Sequence, residues 1–326
     1  MRLVAGVLAF ALAVGGGFAA ADEVYTKIGF PAGGAADNAG RLVARHIGRF
    51  LDGNPDVIAQ NVPGAGGVRL MRLLASSEPD DGSVVALVSV SAVVLGVLNP
   101  DSAAAMDEQL AWIGALSKEP SICAVSADSG VTDVEGFRTE SFKIGATSRT
   151  TQTYLQAAFL KKLLDARYDI VTGFSGGPEV NLALARGELD GVCGISLYTF
   201  LGSKFNEGKR IIGYVGPEPS PDVVDEAYIS FETLIEDERD LKAVRLLMTS
   251  KYALFGFAMP ATTPPDIVDA YRAAFDAMVA DEAFQADAVR FLPVLSPSSG
   301  VEVESLLAGV LDTDPAVIAR ARELAK

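Results

Sequence analysis

The stretch FPAGGAAD, residues 30–37, follows a short apolar run at 24–29 and precedes a segment with helical periodicity. A second stretch of similar design, TGFSGGPE at residues 172–179, follows the apolar run at 168–171. A glycine turn between a strand and a helix exposes backbone N–H groups at the helix N-terminus, where the helix dipole favours an anion. These two stretches, called the first and the second elbow, predict an anion held between two α/β domains.

Strand-like and helix-like segments alternate along most of the chain. Apolar runs at 56–59, 84–88, 122–125, 143–146, 191–195, 211–215 and 253–257 read as further strands. Such alternation predicts mainly parallel sheets with helices on both faces. Ligands of such sheets bind at the carboxyl ends of the strands. The first elbow and the loops at 61–67 and 89–91 are predicted to lie at that edge.

The N-terminus has the pattern of a secretory signal peptide. Arg2 precedes an apolar run at 3–18, and three alanines at 19–21 supply a cleavage pattern ahead of Asp22. We expect residues 1–21 to be removed near Ala21 and the rest of the chain to be exported. A retained membrane anchor is the alternative, although the run is short for a spanning helix.

Composition and charge exclude several classes of function. The net charge of −15, with no basic run, disfavours a nucleic-acid or anionic-lipid partner. The one histidine, His46, lies on the apolar stripe of a predicted helix, so we expect neither a metal site nor a Ser-His-Asp triad. We therefore expect no cofactor and no catalytic activity. Cys123 and Cys193 either form a disulfide in an exported protein or remain buried thiols.

Each candidate binding residue has a structural alternative. Gly33 and Gly34 contact a ligand or only close the turn, and Asp37 contacts a ligand or is a first-turn helix acid. Ser89 and Ser91 bind a ligand or shape a turn, and Arg149 either pairs with a carboxylate or is solvated. The predicted ligand-binding residues are Pro31, Ala32, Gly33, Gly34, Ala35, Asp37, Gly66, Ser89, Ser91, Ser148, Arg149, Thr150, Thr151, Phe174, Ser175, Gly176 and Gly177.

The loop at 64–67 is glycine-rich but does not have the pattern of a dinucleotide site. Arg69 stands where the last glycine of G-x-G-x-x-G is needed, and no Gly-Lys-Ser/Thr follows. The sequence therefore disfavours nucleotide binding.

Taken as a set, seven segments resemble the Bug family, the extracytoplasmic solute receptors of tripartite tricarboxylate transporters. Their order and spacing agree over nearly the whole chain after the signal peptide, at residues 30–37, 61–67, 79–82, 98–100, 173–177, 186–191 and 258–264. Three segments depart from the family pattern and leave the substrate open, at 68–69, 147–151 and 254–257.

The resemblance implies a two-lobed type II periplasmic-binding-protein fold, or Venus flytrap, with a mainly parallel sheet flanked by helices in each lobe. Residues 22–118 would form the first part of lobe 1, residues 119–250 lobe 2, and residues 251–326 the return to lobe 1 with the C-terminal helices. Crossover strands would join the lobes at a cleft.

The implied function is that of a periplasmic receptor without catalytic activity. The resemblance implies that a small organic mono- or dicarboxylate is captured by hinge closure and delivered to a large and a small integral membrane subunit. We expect a monomer. A ligand-sensing co-receptor for a membrane sensor kinase is the alternative. An enzyme on the same fold would require a nucleophile–base pair or a cofactor, and the sequence indicates neither.

Overall fold

The computed structural model describes residues 23–101, 110–148, 151–174, 176–202, 204–223, 228–292 and 294–326. The predicted signal peptide at 1–21 and three predicted site residues, Arg149, Thr150 and Ser175, lie outside these residues. Across the described ranges, no helix combines the length and the apolar character needed to span a bilayer.

Six strands form the first sheet, which is the core of what we call lobe 1. They are β1 (Glu23–Ile28), β2 (Asp56–Asn61), β3 (Val84–Val88), β4 (Ala111–Ser117), β11 (Leu254–Met259) and β12 (Ser298–Ser299). Their order across the sheet is β12-β4-β11-β3-β1-β2. Strand β1 pairs in parallel with β2 and β3, whereas β11 is antiparallel to both β3 and β4.

Six further strands form the second sheet, which is the core of lobe 2. They are β5 (Ser121–Ser126), β6 (Lys143–Gly145), β7 (Asp169–Val171), β8 (Gly191–Ser196), β9 (Lys209–Val215) and β10 (Ile229–Ser230). Their order is β10-β9-β5-β8-β6-β7. Strand β5 is antiparallel to its two neighbours, and the other pairs are parallel.

Helices flank both sheets. They are α1 (Ala35–His46), α2 (Val68–Ser76), α3 (Val90–Leu98), α4 (Val134–Thr139), α5 (Gln152–Leu163), α6 (Gly177–Ala185), α7 (Leu197–Leu201), α8 (Glu238–Met248), α9 (Pro265–Ala280), α10 (Glu282–Ala288), α11 (Gly300–Leu311) and α12 (Pro315–Leu324). Short 3₁₀ turns occur at Ile47–Phe50, Ala65–Gly67, Ala127–Ser129, Lys204–Asn206, Phe231–Leu234 and Thr249–Lys251.

The central strand β3 shows why lobe 1 needs helices on both faces. All five of its residues are buried. Val84, Ala86 and Val88 pack into one apolar cluster, which includes residues of α2, α3 and α11. Val85 and Leu87 point to the opposite face and pack with residues of α1, α9 and α10. A continuous apolar strand is what a sheet covered on both faces requires.

The chain crosses between the two sheets twice. It leaves the first sheet after Ser117, enters the second at Ser121 and returns at Leu254. The backbone N–H of Glu119 donates to the carbonyl oxygen of Lys251 over 2.8 Å, so the two crossing segments are hydrogen-bonded to each other. The two-lobed α/β fold predicted from the sequence is confirmed, whereas the expectation of mainly parallel sheets is wrong for lobe 1, because the returning strand β11 and the strands β4 and β12 pair in antiparallel fashion. The lobe boundaries by residue stay a prediction.

A disulfide joins two neighbouring strands of lobe 2. Cys123 of β5 stands opposite Cys193 of β8 in the strand register, and the two sulfurs are bonded. Directly opposed residues of an antiparallel pair have close Cβ atoms. The sequence left open whether the cysteines form a disulfide or remain buried thiols, and the pairing of β5 with β8 decides for the disulfide.

Strand β4 carries no clear sequence signal, and the cap of α9 differs from the residue that its local sequence favours. Gly114 lowers the strand signal of β4, but a Cβ at that position would lie 2.4 Å from Cε1 of Phe275. Only glycine lets the ring of α9 approach the sheet this closely. Thr263 reads from the sequence as the N-cap of α9, yet Pro264 occupies the cap position and the Thr263 hydroxyl is buried without a hydrogen bond to any described residue.

Candidate ligand-binding site

The first elbow is held in place by Asp37, which is 3 % exposed. Its carboxylate accepts hydrogen bonds from the backbone N–H of Gly33 at 2.8 Å, from Nε of Arg41 at 2.9 Å and from Nδ2 of Asn61 at 2.7 Å. Burial opposes ionisation, but these donors outweigh it and hold the pKa of Asp37 below its ordinary value. The contacts favour the structural interpretation of Asp37.

The rest of the first elbow faces solvent. Residues 31–35 are all exposed, and Gly33 has a φ of +86°. Because the Gly33 N–H is already bonded to Asp37, the donors left for a ligand are those of the first turn of α1, which have no intrahelical acceptor. The N–H groups at the start of α1, at Ala35 and Ala36, are therefore the donors that this elbow offers, and anion binding there stays a prediction.

The loop after β2 adopts a left-handed turn that brings three loops together. Residues 64–67 have φ values of +157°, +47°, +63° and +97°. Gly67 lies in contact with the other two loops, since a Cβ there would lie 3.5 Å from Cζ of Phe30 and 3.4 Å from Cβ of Ser89. Gly66, a predicted site residue, is exposed at the tip of this turn. The loops after β1, β2 and β3 therefore meet at one edge, as predicted.

Two predicted loops of lobe 2 also meet. The backbone N–H of Gly173, in the second elbow, donates to the carbonyl oxygen of Thr147 over 3.2 Å. The Thr151 hydroxyl lies 2.9 Å from the hydroxyls of Thr147 and Thr153, and donates to the carbonyl oxygen of Ser148 at 2.7 Å. Ser148 is exposed. This network orders the turn between β6 and α5.

The second elbow differs from the first in what supports it. Gly176 is the N-cap of α6, and Gly177 begins the helix with open space around it. Phe174 is half-buried and packs with the apolar residues of α6 and β8, including Val180 and Val192. The phenyl ring therefore supports the fold of lobe 2.

A cavity of about 460 Å³ lies between the two lobes. Both lobes and both crossing segments contribute to its lining, which includes Ala35, Ser89, Ser91, Glu119, Tyr198 and Phe255. Its volume is within the range of small-molecule sites, about 300–1,000 Å³. Hydroxyl groups and apolar rings share the lining, which suits a small polar ligand with a carbon skeleton.

The cavity includes three of the predicted site residues. Ala35, Ser89 and Ser91 line it, and Ala36 and Phe30 of the first elbow stand beside them. The described candidates of lobe 2 do not contribute to the lining, namely Ser148, Thr151, Phe174, Gly176 and Gly177. The candidates Pro31, Ala32, Gly33, Gly34 and Gly66 lie in the loops at the same strand edge but outside the lining.

Most of the lining residues were not among the predicted site residues, and Tyr198, Thr199, Phe255 and Glu119 are the polar or conformationally unusual examples. Tyr198 and Thr199 follow strand β8, whose carboxyl end shares an edge with those of β6 and β7. Because ligands of such sheets bind at the carboxyl ends of the strands, the residues that follow β8 could have been predicted as site residues. Phe255 has a φ of +58°, which is unusual for a bulky residue. No sequence pattern predicts this backbone conformation. Glu119 lies between β4 and β5, where the chain crosses from lobe 1 to lobe 2. This crossing was the one signal that could have pointed to Glu119.

Among the described residues that line this cavity, Glu119 is the charged one. Its Oε1 accepts a hydrogen bond from the Ser196 hydroxyl. Burial raises the pKa of Glu119, and the charge of Lys251 opposes that rise without cancelling it. Burial likewise lowers the pKa of Lys251, with the charge of Glu119 acting in the other direction. The raised pKa of the Tyr198 phenol, caused first by burial, also reflects the carboxylate of Glu119.

A larger groove of about 940 Å³ lies elsewhere, among helices α8, α11 and α12. Charged side chains of both signs line it, including Glu238, Lys242, Arg245 and Asp314. None of the predicted site residues contributes to its lining. The cavity between the lobes is therefore the candidate ligand-binding site.

Comparison with known proteins supports the fold of the chain, but it does not establish a family or a ligand. No protein-family model matches the chain, and no curated protein matches it. Among solved structures, a TctC solute-binding protein from Polaromonas is similar with a TM-score of 0.71 and 18 % identity, covering 93 % of this chain and 97 % of that one.

Two further solved structures have the same arrangement. The periplasmic binding protein BugD matches with a TM-score of 0.55 and 17 % identity over 93 % of this chain and 95 % of its own. MatC from Rhodopseudomonas palustris, with bound malate, matches with a TM-score of 0.59 and 16 % identity over 93 % and 99 %. The chain therefore has the two-lobed α/β fold of TctC- and Bug-type solute-binding proteins, which confirms the predicted resemblance at the level of the fold.

Proposed function

We propose that this protein is a periplasmic solute receptor that captures a small organic carboxylate in the cavity between its lobes. The observation that carries the proposal is the 460 Å³ cavity, in which the N-terminal turn of α1 and the hydroxyls of Ser89 and Ser91 converge. The captured ligand would then pass to the large and small membrane subunits of a tripartite tricarboxylate-type transporter.

The chemistry of lobe 1 suits a carboxylate. The twelve-residue helix α1 begins at Ala35, and its first-turn N–H groups and dipole favour a negative charge at that end. The carboxylate of Asp37, in the same turn, is paired with Arg41 and Asn61, so its charge is largely compensated. Ser89 and Ser91, which also line the cavity, add hydroxyl donors.

Hinge closure is the mechanism we propose for capture. The lobes are joined by two crossing segments, hydrogen-bonded between Glu119 and Lys251. A ligand that contacts both lobes stabilises the closed form by as much as it binds that form better than the open one. In lobe 2, Tyr198 and Thr199 are positioned for this contact, and the role of Arg149 stays a sequence-based prediction.

The ligands of similar structures narrow the choice of compounds to test. MatC contains malate, and another Rhodopseudomonas palustris protein with a TM-score of 0.59 contains adipate. Both are small dicarboxylates. We therefore propose a small mono- or dicarboxylate as the ligand class for this cavity as well.

The experiment is a thermal-shift screen of the chain from Asp22 onward against organic acids, followed by calorimetry of the hits. A ligand specific to the folded state raises the melting temperature, by RT ln(1 + [L]/Kd) in free energy. We expect a carboxylate to bind, and Ser89→Ala with Ser91→Ala to weaken it. Binding of a sugar or a cation, with no response to any acid, would contradict the proposal.

Export is tested separately. Expression of the full chain in a Gram-negative host, fractionation and intact-mass measurement should give a periplasmic protein that begins at Asp22. A protein that retains Met1 and stays with the membrane would contradict a freely diffusing receptor. Loss of export would leave the carboxylate assay unaffected, so the two results are independent.

A further inference from the structure

One acidic group stands alone in the candidate site. Among the described residues that line the cavity, Glu119 is the one with a charged side chain, and it is half-buried. The remaining polar groups of the lining are hydroxyls, from Ser89, Ser91 and Tyr198 among others. A site that binds an anion at the first elbow therefore also contains a negatively charged group, the carboxylate of Glu119, at the crossing segments.

The carboxylate of Glu119 has acceptor capacity to spare. Oε1 accepts from the Ser196 hydroxyl, while no described residue donates to Oε2 or forms an ion pair with either oxygen. A carboxylate can accept about four hydrogen bonds. An unfilled acceptor in a partly buried cavity is a place for a donor from the ligand.

Lys251 offsets the negative charge of Glu119 only in part. Lys251 influences Glu119 through its charge but does not contribute to the cavity lining. Tyr198, on the lobe 2 side, has a phenol oxygen that already accepts from the backbone N–H of Ser220 at 3.0 Å. A second carboxylate of a ligand placed beside Glu119 would be repelled, because charges interact strongly where water is excluded.

We propose, resting on the carboxylate-receptor function above, that Glu119 selects acids that carry a hydrogen-bond donor at the end opposite the bound carboxylate. The donor is a hydroxyl or an ammonium group, which hydrogen-bonds to Glu119. Plain acids of the same skeleton leave that acceptor unfilled. Glu119 is thus a specificity residue for this cavity.

The test is calorimetry with three matched pairs of acids that differ by one donor. 4-Hydroxybutyrate adds a terminal hydroxyl to butyrate, 4-hydroxyphenylacetate adds a hydroxyl at the end of the ring opposite the carboxylate of phenylacetate, and 4-aminobutyrate adds a terminal ammonium to butyrate. We expect the donor-bearing member of at least one pair to bind about tenfold tighter or better, as a hydrogen bond to a charged group allows. The pair that shows the preference identifies whether the donor is a hydroxyl or an ammonium.

The variant Glu119→Gln keeps the shape and removes the charge. It should reduce that ratio to about threefold or less, the difference between a charged and a neutral hydrogen bond. Glu135→Gln is the matched control, since Glu135 is exposed on α4 and lies outside the cavity lining. A melting curve for each variant establishes that it is folded.

The outcomes are distinct. If acids bind with ratios below about tenfold in every pair, or if Glu119→Gln leaves the ratio unchanged, the role of Glu119 is wrong and the receptor function stands. If no acid in the panel or in the wider screen binds the wild-type protein, the receptor function is wrong, and the role of Glu119 falls with it.

Discussion

The backbone N–H of Gly33 lies 2.8 Å from Oδ2 of Asp37, four residues later in the first elbow. The same carboxylate reaches Asn61 at the end of β2, so it fixes the elbow, the start of α1 and the neighbouring strand relative to one another. A turn held this way presents the N-terminus of α1 in one orientation, which lowers the cost of ordering a binding site when a ligand arrives.

Replacement of Asp37 by alanine tests that relationship. It leaves the Gly33 N–H without its acceptor and removes one of the two acceptors of the Asn61 amide, which keeps the carbonyl oxygen of Phe30. The free energy of unfolding should fall by about 1–3 kcal/mol. Urea unfolding followed by circular dichroism measures the change. Asn38→Ala is the control, because Asn38 is the exposed next residue of the same helix. A loss for Asp37→Ala no larger than that of the control would contradict the bracing role.

Gly67 is predicted to resist substitution because of its backbone. It has a φ of +97° and lies against Phe30 and Ser89, so Gly67→Ala strains the turn and should cost about 1–3 kcal/mol. Gly309→Ala, at an exposed and open position of α11, should instead stabilise by about 0.5–1 kcal/mol. Equal effects of the two substitutions in thermal melts would show that the turn carries no strain.

Removal of the disulfide should weaken lobe 2. Cys123 and Cys193 are 70 residues apart, and a cross-link over such a loop restricts the unfolded chain. The double replacement by alanine should lower the free energy of unfolding by about 2–4 kcal/mol, in the chain-entropy account. Wild-type protein treated with a reductant under mild denaturation should approach the same midpoint. An unchanged midpoint in both experiments would contradict the expected contribution.

The stability of the folded protein should depend on pH through Glu119. The sign of this dependence follows from the burial of the Glu119 carboxyl. Burial raises the pKa of Glu119 in the folded protein, so the folded state binds more protons than the unfolded state between the ordinary and the raised value. Stability should therefore fall as pH rises through that window, which begins near the ordinary glutamate pKa of about 4.3. The groups facing Glu119 are the Ser196 hydroxyl, the Tyr198 phenol and the Lys251 ammonium.

The measurement is the melting temperature of wild type and of Glu119→Gln from about pH 4 to about pH 7. The variant lacks the titrating carboxyl, so its advantage over wild type should grow with pH across this range. Parallel curves for the two proteins would mean that Glu119 titrates at its ordinary value. Lys251, whose pKa is lowered by burial, is present in both proteins, so the comparison isolates the carboxyl of Glu119.

Local sequence patterns determined the elements and most of their boundaries. The strand predicted at 84–88 matches β3, and the predicted elbows do join strands to α1 and α6. Apolar periodicity and glycine turns act over a few residues, so the chain itself carries their signal. The same signals led to the two-lobed fold and to the three loops that meet around Gly67.

Tertiary structure decided which of these residues face one another. The cysteines pair because β5 and β8 are neighbours in a sheet, and Asp37 braces the elbow because Asn61 ends the adjacent strand. Glu119 and Tyr198 reach the cavity because two distant segments cross there, with α7 beside them. Contacts between segments far apart in sequence depend on strand order and helix packing, which local propensities do not encode. The elements follow from the sequence, whereas the composition of the cavity follows from how the lobes are joined.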